Sequence, residues 1–396
     1  MTAPFAPQPP DARPGPPVWC EAEQVWRLTR YADVSALLRK ADAEVVEFQD
    51  RIAAIGRRAG RDYGSLVRLL SGILFFRNPP WQTEARAALR RALGAMAARI
   101  SEAEIAPLVE DAVAGLLADA EGNVDVVAPL ADRVPVLVMA HLLGLSEATV
   151  ETLHLQGKGV VNAWQRAMPL RAYDALQQQA AGIDAALRQE IDRARADGGP
   201  LRMFLEAGEF VEDDETVGIL FGIIMAGIET TSGLLASVLY AACLEPGAAE
   251  ALRQGSFPER GFVEEVLRMA PPVRRPSARR LATAQQFGDI ALPPGSLVGV
   301  DLMLAQRDPA AYEDPHRFDA RRQRPTVLAF GSGIHACLGG HLATLEARLL
   351  LRSVLRRGVS PAPGAEIEWD PDPTFCRLLR FRLRLDHERK RPLHAE

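Results

Sequence analysis

The chain has 396 residues but few cysteines, and none of them is paired in a metal-binding or disulfide pattern. The four are Cys20, Cys243, Cys337 and Cys376, and no CxxC motif is present. This spacing indicates neither a disulfide scaffold nor a four-cysteine zinc site, and it favours a reducing cytoplasm. The sequence also lacks a run of five basic residues and has a formal net charge of -5. A nucleic-acid partner is not expected, because it would need clustered positive charge.

Long hydrophobic runs are missing too. The longest, Val217 to Ile228, has 12 residues and stops at Glu229, whereas a membrane span needs roughly 18 or more. The proline-rich start MTAPFAPQPPDARPGPP has no basic region followed by an apolar run, so we expect neither a signal peptide nor a membrane anchor. Residues 1–18 are predicted to form a flexible tail. No linker divides residues 19–396, which are predicted to form one soluble, cytoplasmic domain.

Most of the chain is predicted to be helical, because apolar residues recur at spacings of three and four. The clearest helices are 85–100, 103–117 and 175–194. Strands are scarce: alternation predicts one at 380–386, and FGDIALPPGSLVGVDL predicts two short strands around its PPG turn. The expected fold class is therefore mainly α with small β-sheets.

A long helix is predicted from Asp213 to about Leu244. The acidic cluster 212–215 suits the positive end of its dipole, and the Glu-Pro pair at 245–246 ends it. Because this helix is apolar nearly all round, it must be buried. The stretch AGIETT at 226–231 therefore places polar atoms inside the buried helix, and these atoms need hydrogen-bond partners or a functional role.

The stretch FGSGIHACLGGHL, residues 330–342, holds one cysteine on a glycine-rich loop before an apolar helix pattern. Thiolate is the metal-binding form of cysteine, and a helix N-terminus favours it. The glycines Gly331, Gly333 and Gly339 permit close approaches that side chains would block. A flat cofactor could therefore lie against Cys337.

The residues alone leave three interpretations of this loop open. A phosphate cradle would use the glycines, but the Lys and Ser/Thr of a P-loop are missing. Zinc could take His335, Cys337 and His341, although the spacing is irregular and a fourth ligand is not evident. A structural cysteine on a tight loop is the third interpretation.

FGSGIHACLGG resembles, at every marked position, the haem-binding loop of the cytochromes P450. The resemblance implies that Cys337 is the axial iron ligand and that Phe330, Gly331, His335 and Gly339 surround haem b. It extends over about residues 25–385. It implies the cytochrome P450 fold, with the haem between the long helix and the cysteine loop.

The stretch AGIETT carries the resemblance further. In the family this segment passes over the oxygen-binding face of the haem, so Ala226 would face the cofactor. Glu229 and Thr230 match the acid and alcohol that manage proton delivery, and an acid at this place can relay protons from solvent.

A third part of the resemblance is structural. In EEVLR, Glu265 and Arg268 match the ExxR pair of the family, and DPHRFD supplies Arg317. These three residues are expected to form a network behind the cysteine loop.

The haem propionates need cationic or N–H donors. Alignment with the family suggests Arg279, His335 and Arg86, with Arg280 as the neighbouring alternative to Arg279. Gln82 stands where the family usually has a histidine, and its amide donates a hydrogen bond without carrying charge.

The implied substrate pocket is largely apolar. Its expected lining is the stretch 47–76, read as a loop, together with Trp164, Met168, Ile223, Ala226, the segment 273–277 with Val273 and Arg275, and the segment 373–376 with Thr374 and Phe375. Arg274 and Arg275 stand out, since an arginine there could anchor a carboxylate-bearing or carrier-linked substrate.

The resemblance implies a monooxygenase that inserts one atom of O2 into an organic substrate, by hydroxylation or epoxidation, in bacterial secondary-metabolite tailoring or catabolism. The sequence has no flavin or nicotinamide signature, so a ferredoxin-type donor with its reductase is the expected partner of a monomeric protein. Arg86, Arg90 and Arg91 are candidates for docking that donor. The alternative is a haem-thiolate protein that binds a ligand or partner without turnover; Glu229 and Thr230 argue against it, because binding needs no proton relay.

Overall fold

The computed structural model describes residues 13–40, 42–119, 123–163, 168–244, 247–256, 258–323, 325–356, 359–361 and 367–385. The helices are α1 (Tyr31–Arg39), α2 (Phe48–Ala59), α3 (Gly64–Ser71), α4 (Trp81–Ala95), α5 (Glu102–Asp119), α6 (Arg133–Leu143), α7 (Glu147–Asn162), α8 (Leu170–Asp197), α9 (Pro200–Gly208), α10 (Asp213–Leu244), α11 (Ala248–Arg253), α12 (Glu259–Met269), α13 (Leu302–Ala305) and α14 (Gly340–Arg356). Their predominance confirms the mainly α fold class.

The strands are short. They are β1 (Val18–Cys20), β2 (Val25–Leu28), β3 (Ala43–Val45), β4 (Asn123–Asp125), β5 (Arg279–Leu281), β6 (Gln285–Phe287), β7 (Ile290–Leu292), β8 (Leu297–Val300), β9 (Val359–Pro361), β10 (Ile367–Trp369) and β11 (Leu378–Leu385). They form a five-stranded sheet in the order β1-β2-β8-β5-β3, a sheet β10-β11-β4 in which β9 also pairs with β11, and the hairpin β6-β7.

The strand predicted at 380–386 is present as β11. Phe381 and Leu383 are buried while Arg380 and Arg382 are exposed, as the alternation requires. Residue 386 lies outside the described residues. The two strands predicted around the PPG turn are β7 and β8, but they have different partners: β7 pairs with β6, and β8 lies between β2 and β5. Local pattern could not indicate this pairing, because β2 comes from the other end of the chain.

The chain divides into two compact units, Met1–Ala43 with Ile105–Pro135 and Thr230–Glu396, and Glu44–Glu104 with Val136–Glu229. In the first unit, β2 and β8 pair in parallel with Leu28 opposite Val300. Both residues pack in an apolar core with Val34 and Leu37 of α1. The assignment of residues 19–396 to one domain stays a prediction.

Part of the predicted tail is held against the first unit. The Gly15 N–H donates to Thr29 Oγ1 at 3.0 Å, and Val18 begins β1. Residues 1–12 of that tail lie outside the described residues.

Helix α10 confirms the predicted long helix, which begins at Asp213 and ends at Leu244 as expected. Its 32 residues extend about 48 Å at about 1.5 Å per residue. By length and composition alone this helix could cross a membrane, but 72% of its most apolar stretch is buried inside the protein. Core helices of soluble proteins pass the same test, and the burial of α10 is typical of them.

The other predicted helices are found as α4 with a following 3-10 turn, α5 and α8. The reading of 47–76 as a loop is wrong, because this stretch contains α2, α3 and the 3-10 turn Leu74–Phe76. Leu66, Leu69 and Leu70 are buried at helical spacing. In the second unit the chain after α3 also approaches α10 closely: a Cβ on Gly72 would lie 1.9 Å from the backbone carbon of Gly218.

Candidate active site

The cysteine loop is shaped by two 3-10 turns, Leu328–Phe330 and Gly333–His335. The Cys337 N–H donates to the carbonyl oxygen of Phe330, at the end of the first turn, at 2.8 Å and closes the loop across the second turn. Helix α14 begins at Gly340, just beyond the cysteine. Cys337 is exposed, unlike the buried Cys376.

Two glycines of the loop have conformations that other residues rarely adopt. Gly331 and Gly333 have φ angles of 66° and 68°, in the left-handed region. A Cβ on Gly333 would also lie 2.7 Å from the Leu38 carbonyl oxygen. A Cβ on Gly339 would meet no atom within 4 Å, so contacts within the protein do not explain that glycine.

The zinc interpretation of the loop receives no support. Within the described part of the chain, no three His, Cys, Asp or Glu side chains cluster closely enough to hold a metal ion. Three or four such ligands are what a protein zinc site needs.

Gln306, which sequence reasoning missed, anchors the start of the loop. This residue is fully buried. Its Nε2 donates to the carbonyl oxygens of Leu267 and Arg268 at 3.1 and 3.2 Å, and its Oε1 accepts from the Leu328 N–H at 2.7 Å. The amide therefore ties the end of α12 to the first turn of the cysteine loop. A lone glutamine belongs to no motif, so the sequence carried no signal for it.

Glu265 and Arg268 of α12 form a buried ion pair. Arg268 Nε and Nη2 donate to the two carboxylate oxygens at 2.9 and 2.8 Å, and neither side chain is exposed. Arg268 Nη1 also donates to the Gln306 carbonyl oxygen at 2.8 Å. The ExxR pair thus supports the same backbone segment that anchors the cysteine loop.

The third arginine of this network is Arg322 and not the expected Arg317. Arg322 Nε donates to Glu265 Oε1 at 3.3 Å. The Arg317 side chain is 70% exposed, with the Asp319 carboxylate 3.7 Å away, and only its carbonyl oxygen joins the network. The Asp319 N–H donates to Glu265 Oε1 at 3.0 Å. This bond brings the following turn to the carboxylate, which is why Arg322 reaches it.

Glu229 and Thr230 are adjacent on α10, and Ala226, one turn earlier, is exposed. The Glu229 side chain is only 16% exposed. Its Oε1 lies 2.6 Å from His154 Nε2 and 3.4 Å from Lys158 Nζ, both on α7. The polar interruption of α10 therefore has partners, as its burial requires, and they are two basic side chains that no motif indicated.

Burial distinguishes Arg279 from Arg280. Arg279 is buried, and among the described residues its Nη1 has no hydrogen-bond partner. Burial lowers the pKa of its guanidinium to about 10. Arg280 is exposed and donates to the Gly295 carbonyl oxygen at 3.4 Å. A buried guanidinium with an unmet donor favours an anion beside it, so Arg279 is the one that suits a propionate.

The other expected propionate donors occupy two elements. His335 lies on the cysteine loop, where both its ring nitrogens are screened from solvent. Gln82 is buried and Arg86 half-buried, both on α4. The Thr83 hydroxyl donates to Gln82 Oε1 at 3.4 Å.

Two segments expected to line the substrate pocket meet in the first unit. Val273 and Phe375 form an antiparallel bridge, and the N–H groups of Arg274 and Arg275 donate to the Thr374 carbonyl oxygen at 2.8 and 3.1 Å. The remaining expected residues belong to the second unit (Ile223, Ala226, Met168) or lie outside the described residues (Trp164).

Arg274 and Arg275 have carboxylate partners within the protein. Oδ2 of the fully buried Asp301 lies 2.8 Å from Arg274 Nη2 and 3.1 Å from Arg275 Nε. Glu23 Oε1 lies 3.0 Å from Arg275 Nη1. Because Arg275 already contacts two carboxylates of the protein, a substrate carboxylate would have to compete with them for this guanidinium, which weakens the expected anchoring role. The pairs instead fix the segment after α12 to the end of β8.

Known proteins match the chain over most of its length. The family model "Cytochrome P450" matches residues 260–370. Cytochrome P450 monooxygenase PikC of Streptomyces venezuelae is 30% identical over 379 residues, which cover 92% of this chain and 86% of PikC.

Solved structures agree in fold. The crystal structure of CalO2 matches with a TM-score of 0.83 at 23% identity, over 94% of this chain and 93% of that one. P450BioI, solved in complex with hexadec-9Z-enoic acid-ligated acyl carrier protein, matches with a TM-score of 0.80 at 21% identity, over 93% and 95%. The fold is therefore the cytochrome P450 fold. With the identity to PikC extending over most of both sequences, the chain belongs to the cytochrome P450 family of haem b monooxygenases.

Proposed function

We propose that Cys337 binds the haem iron and that the protein inserts one atom of O2 into an organic, largely apolar substrate. The observation that carries this proposal is the placement of Cys337, exposed on a loop closed by its own bond to Phe330 and anchored by Gln306. Burial raises the pKa of the Cys243 and Cys376 thiols to about 12. Those thiols stay protonated at neutral pH, whereas a metal ligand must be a thiolate.

The residues present fit haem b. Arg279 would support one propionate through its buried Nη1, which has no hydrogen-bond partner among the described residues, and His335 would supply a ring N–H on the cysteine loop. Gln82 and Arg86 on α4 are the remaining candidates. Since the Gln82 amide carries no charge, the propionate near it would depend on Arg86 for charge compensation.

Bound haem would supply the redox-active iron at which dioxygen is reduced and from which one oxygen atom passes to the substrate. The chain itself would supply the protons. Glu229 is the proposed carrier, because its largely buried carboxyl group contacts Lys158, a side chain that is 37% exposed. Thr230 follows it, and a hydroxyl can accept one proton while donating another. Ala226, a small side chain one turn earlier, is the proposed residue facing the haem.

The substrate we propose is hydroxylated or epoxidised in bacterial secondary-metabolite tailoring or catabolism. The proposed lining is mostly apolar, with Ile223, Val273, Thr374 and Phe375. A carboxylate-bearing or carrier-linked substrate would be held by a cation other than Arg275, which already contacts Asp301 and Glu23.

Electrons would come from a ferredoxin-type donor with its reductase, acting on a cytoplasmic monomer. Arg90 is the best-supported docking residue: it is exposed on α4, and within the described ranges no ion pair or hydrogen bond holds its side chain. Arg91 Nη2 lies 3.1 Å from Glu209 Oε2, and Arg86 is half-buried. An acidic carrier would meet the free positive charge of Arg90 first.

A reconstituted assay tests this function. The haem-loaded protein is supplied with ferredoxin, reductase, NAD(P)H, O2 and candidate compounds chosen because they shift the ferric haem spectrum. We expect an oxygenated product that carries label from ¹⁸O₂. A protein that binds these compounds and accepts electrons but never forms labelled product would support the non-turnover alternative instead.

A further inference from the structure

His154 and Glu229 contact each other at hydrogen-bond distance, between polar atoms of two packed helices. The His154 side chain is 4% exposed, and its Nε2 lies 2.6 Å from Glu229 Oε1. The same oxygen lies 3.4 Å from Lys158 Nζ, on a side chain that is 37% exposed. One carboxylate oxygen is therefore held by two basic groups, of which one is buried and the other reaches solvent.

Helix packing fixes this arrangement. His154 and Lys158 are one turn apart on α7 and so share a face. Between them, a Cβ on Gly157 would lie 2.5 Å from Met225 Sδ and 2.9 Å from Phe221 Cε2 of α10. A larger residue at Gly157 would have to displace the Met225 and Phe221 side chains, so this glycine leaves room for α10 side chains against α7 between the two bases that reach Glu229.

We propose that His154 is a positioning residue for proton delivery: it orients the Glu229 carboxyl group while Lys158 links that group to solvent. This inference rests on the proposed function. An ionised carboxylate only accepts hydrogen bonds, so His154 Nε2–H donates to it; a protonated carboxyl can donate to Nε2 after a tautomer change. The contact can thus persist while Glu229 takes a proton from solvent water and passes it on.

Two substitutions at His154 separate orientation from simple packing. His154→Phe keeps a ring but removes the hydrogen bond, whereas His154→Gln keeps an N–H donor. His141→Phe is the matched control, since it makes the same change where another histidine faces a carboxylate, with His141 Nε2 3.3 Å from Glu104 Oε2. In the holoenzyme, H154F should lower product formed per NAD(P)H by about tenfold, the ratio expected for one hydrogen bond to a charged group. H154Q should recover most of that loss, and H141F should match the wild type.

A double-mutant cycle asks whether His154 acts through Glu229. On a Glu229→Gln background, H154F should change the coupling by less than about twofold. Independent, multiplying effects of the two changes would overturn the proposal.

If H154F does not fold, Lys158→Met provides a second test, because it changes a partly exposed side chain that contacts the same carboxylate. It should also lower the product formed per NAD(P)H, and an unchanged ratio would equally count against the relay.

An infrared measurement tests the contact without turnover. The difference between substrate-free wild type and E229Q isolates the carboxyl bands of Glu229. H154F should shift those bands and H141F should not, and an unshifted spectrum in H154F would show that His154 does not position Glu229. A wild type that forms no oxygenated product would refute the proposed function instead. The infrared result would still show whether His154 positions Glu229.

Discussion

Replacing Arg322 by alanine tests which arginine completes the buried network behind the cysteine loop. Arg322 donates to Glu265 Oε1 at 3.3 Å, to the carbonyl oxygens of Asp314 and Arg317 at 3.1 and 2.8 Å, and to the Glu313 carbonyl oxygen, and its side chain is 8% exposed. At about 1 kcal/mol for each net hydrogen bond, losing these four predicts that the free energy of unfolding falls by about 4 kcal/mol. The buried Glu265 carboxylate would keep Arg268 but lose part of its charge compensation, which adds to the cost.

Arg317→Ala is the matched control. It removes a 70% exposed side chain whose ion pair with Asp319 spans 3.7 Å, and such pairs contribute about 0–1 kcal/mol. Urea unfolding of both haem-loaded variants, followed by far-ultraviolet circular dichroism and by the Soret band, gives the two free energies. Equal destabilisation by the two variants, or a larger effect of Arg317→Ala, would refute the assignment of Arg322.

Three further outcomes are expected. Thr230→Ala should divert electrons from product to hydrogen peroxide, because the hydroxyl that passes protons is gone; unaltered coupling, measured as product per NAD(P)H, would contradict this. Arg90→Glu should slow reduction by the ferredoxin several-fold at low salt while substrate binding stays the same, with Arg58→Glu, also exposed, as the charge-matched control. Arg275→Leu should leave substrate affinity within about twofold and lower stability through its lost ion pairs; a tenfold weaker affinity would restore the substrate-anchor interpretation.

The sequence was sufficient for features whose residues are contiguous. The long helix α10 follows from one apolar stretch with an acidic start, and the cysteine loop follows from ten neighbouring residues. The choice between Arg279 and Arg280 needed the structure, because both belong to β5 and only the strand's placement buries one and exposes the other. Likewise, the arginine that reaches Glu265 depends on the turn that follows Asp319, which no motif specifies.

Contacts between residues distant in the sequence could not be predicted from it, for the same reason. Gln306 and His154 are single residues without a motif, and each gains its role from a segment distant in sequence, Leu328 or Glu229. The charge of Arg275 suggested a ligand because its partners, Asp301 and Glu23, are also far along the chain. When the sequence does not show which carboxylates pair with an arginine, that arginine resembles a ligand-binding residue.

The absorption spectrum of the reduced, carbon monoxide-bound protein tests most directly whether the Cys337 thiolate binds the haem iron. Haem-loaded wild type should show the red-shifted Soret maximum of thiolate coordination, Cys337→Ser should lose it, and Cys20→Ser should keep it as the control. A wild type without that maximum, or a Cys337→Ser protein that retains it, would contradict the assignment.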